Sequence, residues 1–270
     1  MLVEVFLGFA DLMNKKAKEL GLENTHFETP HGLDSAEHYT TAYELALLSN
    51  YALKNKTFAQ IVGTKNYTIT INGAPKQLSN TNELLGNFAG VYGIKTGFTN
   101  GANRCLVTAC KRNDIDVITV VLGADTKKFR TQDSIKLLNY ALENFQKVDL
   151  DKIVTKEFED WKSLNLNKFN IEKGISQSVS LKLANLENKT IPIRKDLINS
   201  ITVDINCSTS LIAPVKSGYE VGSLVLYCNG TEFNRLSIFF DNDILKKSPF
   251  NYFLSFFKDF NKIVKSCLNI

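Results

Sequence analysis

The stretch Val91-Tyr92-Gly93-Ile94-Lys95-Thr96-Gly97 joins a strand-like apolar run to a cation and a hydroxyl at the end of the strand. Lys95 and Thr96 can hold a carboxylate through charge-assisted hydrogen bonds, and Gly97 lets a ligand approach the backbone closely. A backbone N–H that follows can stabilise an oxyanion. Because a Lys-Thr-Gly tripeptide also arises by chance in ordinary sequence, its meaning depends on the residues around it.

The first half of the chain carries alternating helix and strand signals. Apolar positions at helical spacing predict a helix up to Leu20, a second from Thr41 and a third from about Thr131 to Phe145. Short runs rich in β-branched residues predict strands at 67–71, 91–96, 106–109 and 117–122, with turn signals at Asn72-Gly73 and Asn113-Asp114. We expect an antiparallel sheet packed against helices in residues 1–148, so the fold class is α+β.

The second half has a different pattern. The charged stretch from Lys152 to Trp161 is interpreted as a connector. Alternating runs at 179–183, 201–205 and 221–227, with a turn signal at Asn229-Gly230, predict a small all-β domain over residues 149–245.

Residues 246–270 form a separate segment with many aromatic side chains. One helical face carries apolar residues and the other carries lysines, namely Phe250, Phe253, Leu254, Phe257, Phe260, Val264, Cys267 and Leu268 against Lys258, Lys262 and Lys265. Such an amphipathic helix suits a membrane interface, where we expect it to lie. The alternative is a terminal helix that docks onto its own β domain.

Composition excludes some classes of function and leaves others open. The net charge of +4 comes from dispersed basic residues that are mostly Lys, which disfavours nucleic acid as a partner. The N-terminal residues do not form a secretory signal, and no stretch reaches the about 20 apolar residues that span a bilayer. Any export signal would therefore lie outside this chain. The cysteines are interpreted as free thiols, although pairing of Cys207 with Cys228 stays open.

Several further motifs, in the same order along the chain, are similar to those of one enzyme family. They are Leu12-Met13-Asn14, Leu20-Gly21-Leu22, Thr25-His26-Phe27, His31-Gly32-Leu33-Asp34, Asn80-Thr81-Asn82-Glu83-Leu84-Leu85, Gly93 to Thr99, Val120 to Ala124, Arg130, Lys136-Leu137-Leu138, Ala213 to Gly218 and Val221-Gly222. Together they resemble the D-alanyl-D-alanine carboxypeptidases among the low-molecular-mass penicillin-binding proteins. The resemblance implies a β-lactamase/transpeptidase-like domain, a β-rich C-terminal domain and an amphipathic membrane anchor.

The resemblance also implies a chemistry. Members of this family remove the terminal D-alanine of peptidoglycan stem peptides through a serine acyl-enzyme, without a cofactor, and are acylated by β-lactams. They work outside the cytoplasm, on the outer face of the cytoplasmic membrane. By analogy, Lys95, Thr96 and Gly97 would hold the D-alanine carboxylate, and the backbone N–H of Phe98 would form half of an oxyanion hole. Arg130 would lie near the carboxylate, its alternative being a solvated arginine at a helix start.

The sequence departs from the family pattern at three places. Asn103 replaces a glycine, and Thr81 stands where some members have arginine, which weakens a second cationic contact. The family's S-x-x-K and S-x-N motifs precede its Leu-Met-Asn helix, but here the matches are Ser255 with Lys258 and Ser163-Leu164-Asn165. We interpret both as chance matches.

Without a nucleophile or a base, no acyl-enzyme can form. We therefore expect an N-terminally truncated enzyme that has no catalytic residues and is inactive alone. The alternative is a non-catalytic cell-wall or membrane-associated binding module.

Two other clusters were candidates for chemistry. The histidines His26, His31 and His38, with nearby acidic residues, match no metal-binding spacing, so we expect no metal site. Asp125 and Asp133 could form a carboxylate pair, but capping of a helix is the simpler interpretation.

Overall fold

The structure, a computed structural model, describes residues 2–267 of the chain. Its backbone contacts separate two compact units, residues 1–146 and 147–270. Leu268 of the predicted amphipathic face lies outside the described residues, as do the side chains of Ser255, Lys258, Lys262, Lys265 and Cys267.

The first unit contains helices that pack against an antiparallel sheet. The helices are α1 (Leu2–Glu19), α2 (Ala42–Leu53), α3 (Lys56–Val62) and α4 (Lys127–Asn144). The strands are β1 (Asn66–Ile71), β2 (Ala74–Ser79), β3 (Val91–Thr99), β4 (Asn103–Arg112) and β5 (Ile115–Ala124). The sheet order is β3-β4-β5, and β1 and β2 form a separate hairpin, so the α+β prediction is confirmed.

Apolar side chains cover both faces of this sheet. On one face Leu106 and Cys110 of β4 pack with Leu138 and Leu142 of α4, all nearly inaccessible to solvent. Another cluster joins the sheet to α2 and α3 through Ile94, Val107, Ala109, Leu45 and Phe58. Burying both faces fixes the register of β3, because a slip of one residue would exchange its two faces.

The three predicted turns are confirmed by their backbone angles. Both residues of Asn72-Gly73, Asn113-Asp114 and Asn229-Gly230 have positive φ, between 50° and 80°. Two consecutive residues with positive φ give a turn whose twist matches that of the flanking antiparallel strands, and asparagine, aspartate and glycine tolerate this conformation best.

The helix predicted from Thr131 begins four residues earlier. Thr126 is its N-cap, and the Thr126 hydroxyl accepts a hydrogen bond from the Phe129 N–H at 3.1 Å. Asp125 and Asp133 therefore do not cap α4, and that interpretation was wrong. Asp133 instead accepts a hydrogen bond from Lys136 Nζ at 3.0 Å. The earlier start places Arg130 inside the first helical turns.

The second unit is rich in short strands. Its helices are α5 (Leu150–Asn165) and α6 (Pro249–Cys267). Its strands, with β6 starting at the boundary, are β6 (Phe145–Asp149), β7 (Asn170–Glu172), β8 (Leu181–Leu183), β9 (Thr190–Arg194), β10 (Ile201–Cys207), β11 (Ser210–Ile212), β12 (Glu220–Cys228) and β13 (Thr231–Phe240). The main sheet has the order β10-β12-β13-β8. Gly222 permits the close approach of β10 to β12, because a Cβ there would lie 2.2 Å from the Asn206 carbonyl oxygen.

The predicted connector from Lys152 to Trp161 is wrong, because those residues belong to α5. Leu150, Val154 and Phe158 recur every four residues and are buried in the core of the β-rich unit. The charged residues between them occupy the opposite face, so a polar composition concealed an amphipathic helix.

Cys207 and Cys228 are free thiols. Their strands are neighbours, but Cys228 lies opposite Ile201 and Cys207 lies opposite Gly222, at the other end of the pair. At about 3.3 Å per residue this separates them by roughly 20 Å, which is beyond the reach of a disulfide.

Aromatic side chains of α6 remain largely exposed. Phe253, Phe256, Phe257 and Phe260 have between 46% and 65% of their surface accessible. They contact one another, with the Phe253 and Phe257 ring centroids 4.8 Å apart. Across residues 2–267, the helices include none with the length and apolar character needed to cross a membrane.

Candidate active site

A cavity of about 720 Å³ lies beside the C-terminal half of β3. It brings together all the site residues predicted from the sequence, and it adds others that were not. The lining comprises His31, Gly32, Leu33, Thr81, Lys95, Thr96, Gly97, Phe98, Thr99, Ala102, Arg104, Cys105, Lys127 and Arg130. The strand-end tripeptide and the start of α4 therefore share one cavity.

Arg130 is the most deeply buried cation of this cavity. Only 3% of its surface is accessible, so the alternative of a solvated arginine is wrong. Its Nε and Nη2 atoms have no hydrogen-bond partner, and Nη2 lies 3.6 Å from Glu83 Oε2. Burial lowers the pKa of Arg130, against the opposing effect of Glu83, yet a guanidinium stays charged in proteins. A buried charge that lacks hydrogen bonds favours the arrival of an anion.

Glu83 fixes the start of α4 to the segment before β3. Its carboxylate accepts a hydrogen bond from Thr131 Oγ1 at 2.8 Å, and Lys127 Nζ lies 2.5 Å from Oε1. The hydrogen bond from Lys127 is the largest cause of the lowered pKa of Glu83, while partial desolvation opposes it. Arg130 lies within ion-pair distance of Glu83, yet its Nε and Nη2 make no hydrogen bond and keep donor capacity for a ligand.

Lys95 and Thr96 present their polar groups at the exposed end of β3. Lys95 Nζ donates to the carbonyl oxygen of Thr96 at 2.5 Å. The hydroxyl of Thr96 lies 2.6 Å from that of Thr81. Thr81 was expected only to lack a positive charge, but it also positions the hydroxyl of the tripeptide.

Arg104 and Lys127 supply positive charge that the sequence interpretation missed. Arg104 lies opposite Phe98 in the β3–β4 pair, and its guanidinium carbon is 3.9 Å from the centre of the Phe98 ring. A guanidinium over an aromatic face is held by a cation–π interaction. The sequence signal for Arg104 was the short turn after Thr99, because that turn sets the β3–β4 register in which Arg104 lies opposite Phe98. For Lys127 the signal was its spacing of three residues from Arg130 on one helix.

The loop around Asp34 supports the turn that follows β3. Asp34 Oδ2 accepts a hydrogen bond from the Gly101 N–H at 3.0 Å. Hydrogen bonds from Thr99, the larger cause, and from Gly101 lower the pKa of Asp34. Asn103, which replaces the family's glycine, has φ of +54°, a conformation that asparagine adopts more readily than most residues. This departure therefore preserves the turn.

No serine belongs to the lining of this cavity within the described part of the chain. Ser163 lies on α5 of the second unit, where its hydroxyl donates to the Asp160 carbonyl at 2.7 Å. Within residues 2–267, no group of three or more metal-ligating side chains is arranged to hold an ion. His26 instead pairs with Tyr39 through backbone hydrogen bonds.

Two family models match parts of this chain. Residues 7–126 match the family model described as D-alanyl-D-alanine carboxypeptidase, and residues 163–246 match that of the penicillin-binding protein 5 C-terminal domain. Residues 7–126 therefore belong to a D-alanyl-D-alanine carboxypeptidase domain. The carboxypeptidase match includes the whole of β3, while Arg130 lies just beyond it.

Curated relatives and solved structures agree with the family. D-alanyl-D-alanine carboxypeptidase DacF of Bacillus subtilis (strain 168) is 33% identical over 248 residues, which is 91% of this chain and 61% of the relative. DacD of Escherichia coli (strain K12) is 33% identical over 225 residues, 81% of this chain and 53% of the relative. The chain thus spans between about half and three fifths of the length of these relatives.

Two crystal structures have similar folds. The D-alanyl-D-alanine carboxypeptidase DacD from Francisella tularensis is 25% identical with a TM-score of 0.64, covering 90% of this chain and 69% of that one. Penicillin binding protein 5 from Haemophilus influenzae is 26% identical with a TM-score of 0.64, covering 89% and 67%.

Proposed function

We propose that the cavity beside β3 binds the C-terminal carboxylate of peptidoglycan stem peptides ending in D-alanyl-D-alanine. The observation that carries this proposal is Arg130, a buried guanidinium with two nitrogens free of hydrogen bonds in a cavity lined by Lys95, Arg104 and Lys127. No acidic residue is among the described lining residues, and Glu83, which pairs with Lys127 and Arg130, offsets only one of the four positive charges, so a net positive charge remains for an incoming carboxylate.

The edge of β3 supports binding of an extended peptide. Within the described residues β4 is the only strand that pairs with β3, so the backbone of its other edge is not paired with a strand, although Asn82 donates to the Gly93 carbonyl. A peptide can add its backbone to such an edge while its carboxylate reaches the cations at the strand end. Gly97 carries no side chain to obstruct this approach.

The family reaction is serine-type removal of the terminal D-alanine, and this chain would supply the substrate-binding part of it. Attack on the peptide carbonyl needs a nucleophile and a base. Residues 1–270 contain no S-x-x-K motif ahead of Lys95. We therefore propose that these residues alone bind the peptide without cleaving it and are not acylated by β-lactams. As a non-catalytic wall-binding module, the chain would have the same peptide specificity.

The proposed location is outside the cytoplasm, with α6 on the membrane surface. The exposed Phe253, Phe256, Phe257 and Phe260 support this placement, since an aromatic face of that kind partitions into the headgroup region. The β-rich unit would then lie next to the membrane, and residues 246–270 would act as the attachment segment.

Peptide titration tests the binding proposal. The full chain is titrated calorimetrically with an Nα-acylated D-alanyl-D-alanine dipeptide and with its C-terminal amide. Charge-assisted hydrogen bonds give the acid roughly tenfold or greater preference. Lys95→Ala should remove part of that preference, whereas Lys76→Ala, an exposed lysine on β2, should not. Equal affinity for acid and amide would contradict the proposal. Fluorescent penicillin should leave no covalent label, and a labelled band would show that a nucleophile is present.

A further inference from the structure

Cys105 is a thiol at the wall of the cationic cavity that the family reaction does not use. It lies on β4 directly opposite Gly97 of β3. A Cβ at Gly97 would stand 3.6 Å from Cys105 Cβ, so a side chain there would cover the thiol. Because Gly97 has none, Cys105 is partly exposed and faces the cavity. Its sulfur makes weak hydrogen bonds to the carbonyl oxygens of Ala102, at 3.4 Å, and Asn103, at 4.0 Å.

The charges around Cys105 point to an anionic ligand. Lys95, Arg104, Lys127 and Arg130 line the same cavity, and Glu83, which pairs with Lys127 and Arg130, offsets only one of these four charges. Arg130 is buried with Nε and Nη2 lacking hydrogen bonds, and it interacts electrostatically with Cys105. An anion held by these cations would rest next to a free sulfur atom.

We propose that Cys105 is a covalent modification site selective for small thiol-reactive compounds that carry a carboxylate, such as disulfides of carboxylate-bearing thiols. The Cys105 thiolate attacks one sulfur of the disulfide and forms a new S–S bond with it. The original S–S bond breaks, and the departing thiolate takes a proton from water. The proposal rests on the cationic lining described under the proposed function, but not on peptide binding.

Other cysteines of the chain serve as internal references. Cys110 is completely buried, and burial raises the pKa of its thiol. Burial also raises the pKa of Cys207 to about 11. Cys228 is partly exposed in the β-rich unit, near the Ser200 hydroxyl and the Leu197 carbonyl. Cys228 is therefore the matched comparison for Cys105.

Paired reagents that differ in charge test the proposal on the native full chain. Iodoacetate and iodoacetamide are compared, and separately dithiodiglycolate and bis(2-hydroxyethyl) disulfide, with adducts located by peptide mass mapping. The ratio of charged to neutral reagent rates should be about tenfold higher at Cys105 than at Cys228, at the lower end of electrostatic enhancement. Sodium acetate at high concentration should reduce this ratio by competing for the cations.

Variants separate this proposal from the peptide-binding one. Lys127→Ala and Arg130→Gln should each lower the charge preference at Cys105, while Lys76→Ala should leave it unchanged. Because Lys127 is exposed, Lys127→Ala measures the effect of lost positive charge even if the change at buried Arg130 perturbs folding. Equal charge preference at Cys105 and Cys228 would overturn the proposal. If the dipeptide acid still bound better than its amide, only the modification site would fail and the carboxylate-binding function would stand.

Discussion

The hydroxyl oxygens of Thr81 and Thr96 lie 2.6 Å apart and join the segment before β3 to the cavity end of that strand. The neighbouring Asn82 fixes this segment, because it is buried and its side-chain amide donates to the Gly93 carbonyl at 3.0 Å. The Thr96 hydroxyl is therefore positioned before any ligand arrives, which reduces the entropic cost of binding.

Thr81→Val should weaken binding of the D-alanyl-D-alanine dipeptide without unfolding the chain. Valine keeps the shape of threonine but cannot hold the Thr96 hydroxyl, a loss of about 0.5–1.5 kcal/mol or roughly two- to tenfold in affinity. Calorimetric titration measures it, with Thr70→Val on the exposed hairpin strand β1 as control. An unchanged affinity would mean that Thr81 has no positioning role.

Protonation of Glu44 should make the first unit less stable at acidic pH. Burial alone would raise its pKa, but hydrogen bonds from Thr25 Oγ1 at 2.5 Å and the Asn24 N–H at 2.9 Å outweigh it, so the pKa lies below its usual range. A lowered folded-state pKa stabilises the fold above the unfolded pKa of about 4.3, and this is lost as pH falls through the folded value.

Glu44→Gln is the corresponding variant. Its melting temperature at pH 7 should fall below that of the parent, and the gap between the two should narrow below pH 4. Thermal unfolding followed by circular dichroism at several pH values measures this, with the exposed Glu37→Gln as control. A gap that stays constant with pH would exclude a contribution from the Glu44 charge.

Leu138→Ala should destabilise the first unit strongly. Leu138 of α4 has no accessible surface and packs against the sheet. Removing a buried leucine costs about 2–5 kcal/mol in the free energy of unfolding. Its neighbour Leu137 is 42% exposed, so Leu137→Ala should cost only about 0.5 kcal/mol. Denaturant unfolding distinguishes the two, and similar losses for both would contradict the packing of α4.

The aromatic face of α6 should bind vesicles. Flotation with vesicles of phosphatidylglycerol and phosphatidylcholine should carry the chain upward, and the double change Phe256→Ser and Phe260→Ser should reduce the bound fraction severalfold because apolar burial in the interface is lost. Leu245→Ser, which removes an exposed apolar residue outside α6, is the control. Parent protein that stays at the bottom of the gradient would refute membrane attachment.

Local chemistry made much of the fold predictable. Asn72-Gly73 and Asn113-Asp114 specify tight turns, and the apolar runs beside them form the antiparallel strands that those turns allow. The burial of Arg130 could not be predicted, because it depends on packing between α4 and the segment around Glu83. Arg104 was missed for a related reason, since only the register of β3 and β4 places it over Phe98. Turn chemistry was thus predictable, whereas contacts between two elements were not, and within one element the charged composition of α5 concealed its apolar face.

Helix α5 has a consequence for how this chain can be divided or recombined. The family model of the C-terminal domain begins at residue 163, but Leu150, Val154 and Phe158 are core residues of that unit. A hybrid gene joined at the edge of the recognisable motif would leave three apolar pockets unfilled and a β-sheet face open to aggregation. A junction before Phe145, where β6 begins two residues ahead of the compact unit, would transfer the helix with its strands. The segment that must be kept together is thus longer, by helix α5, than the segment matched by the family model.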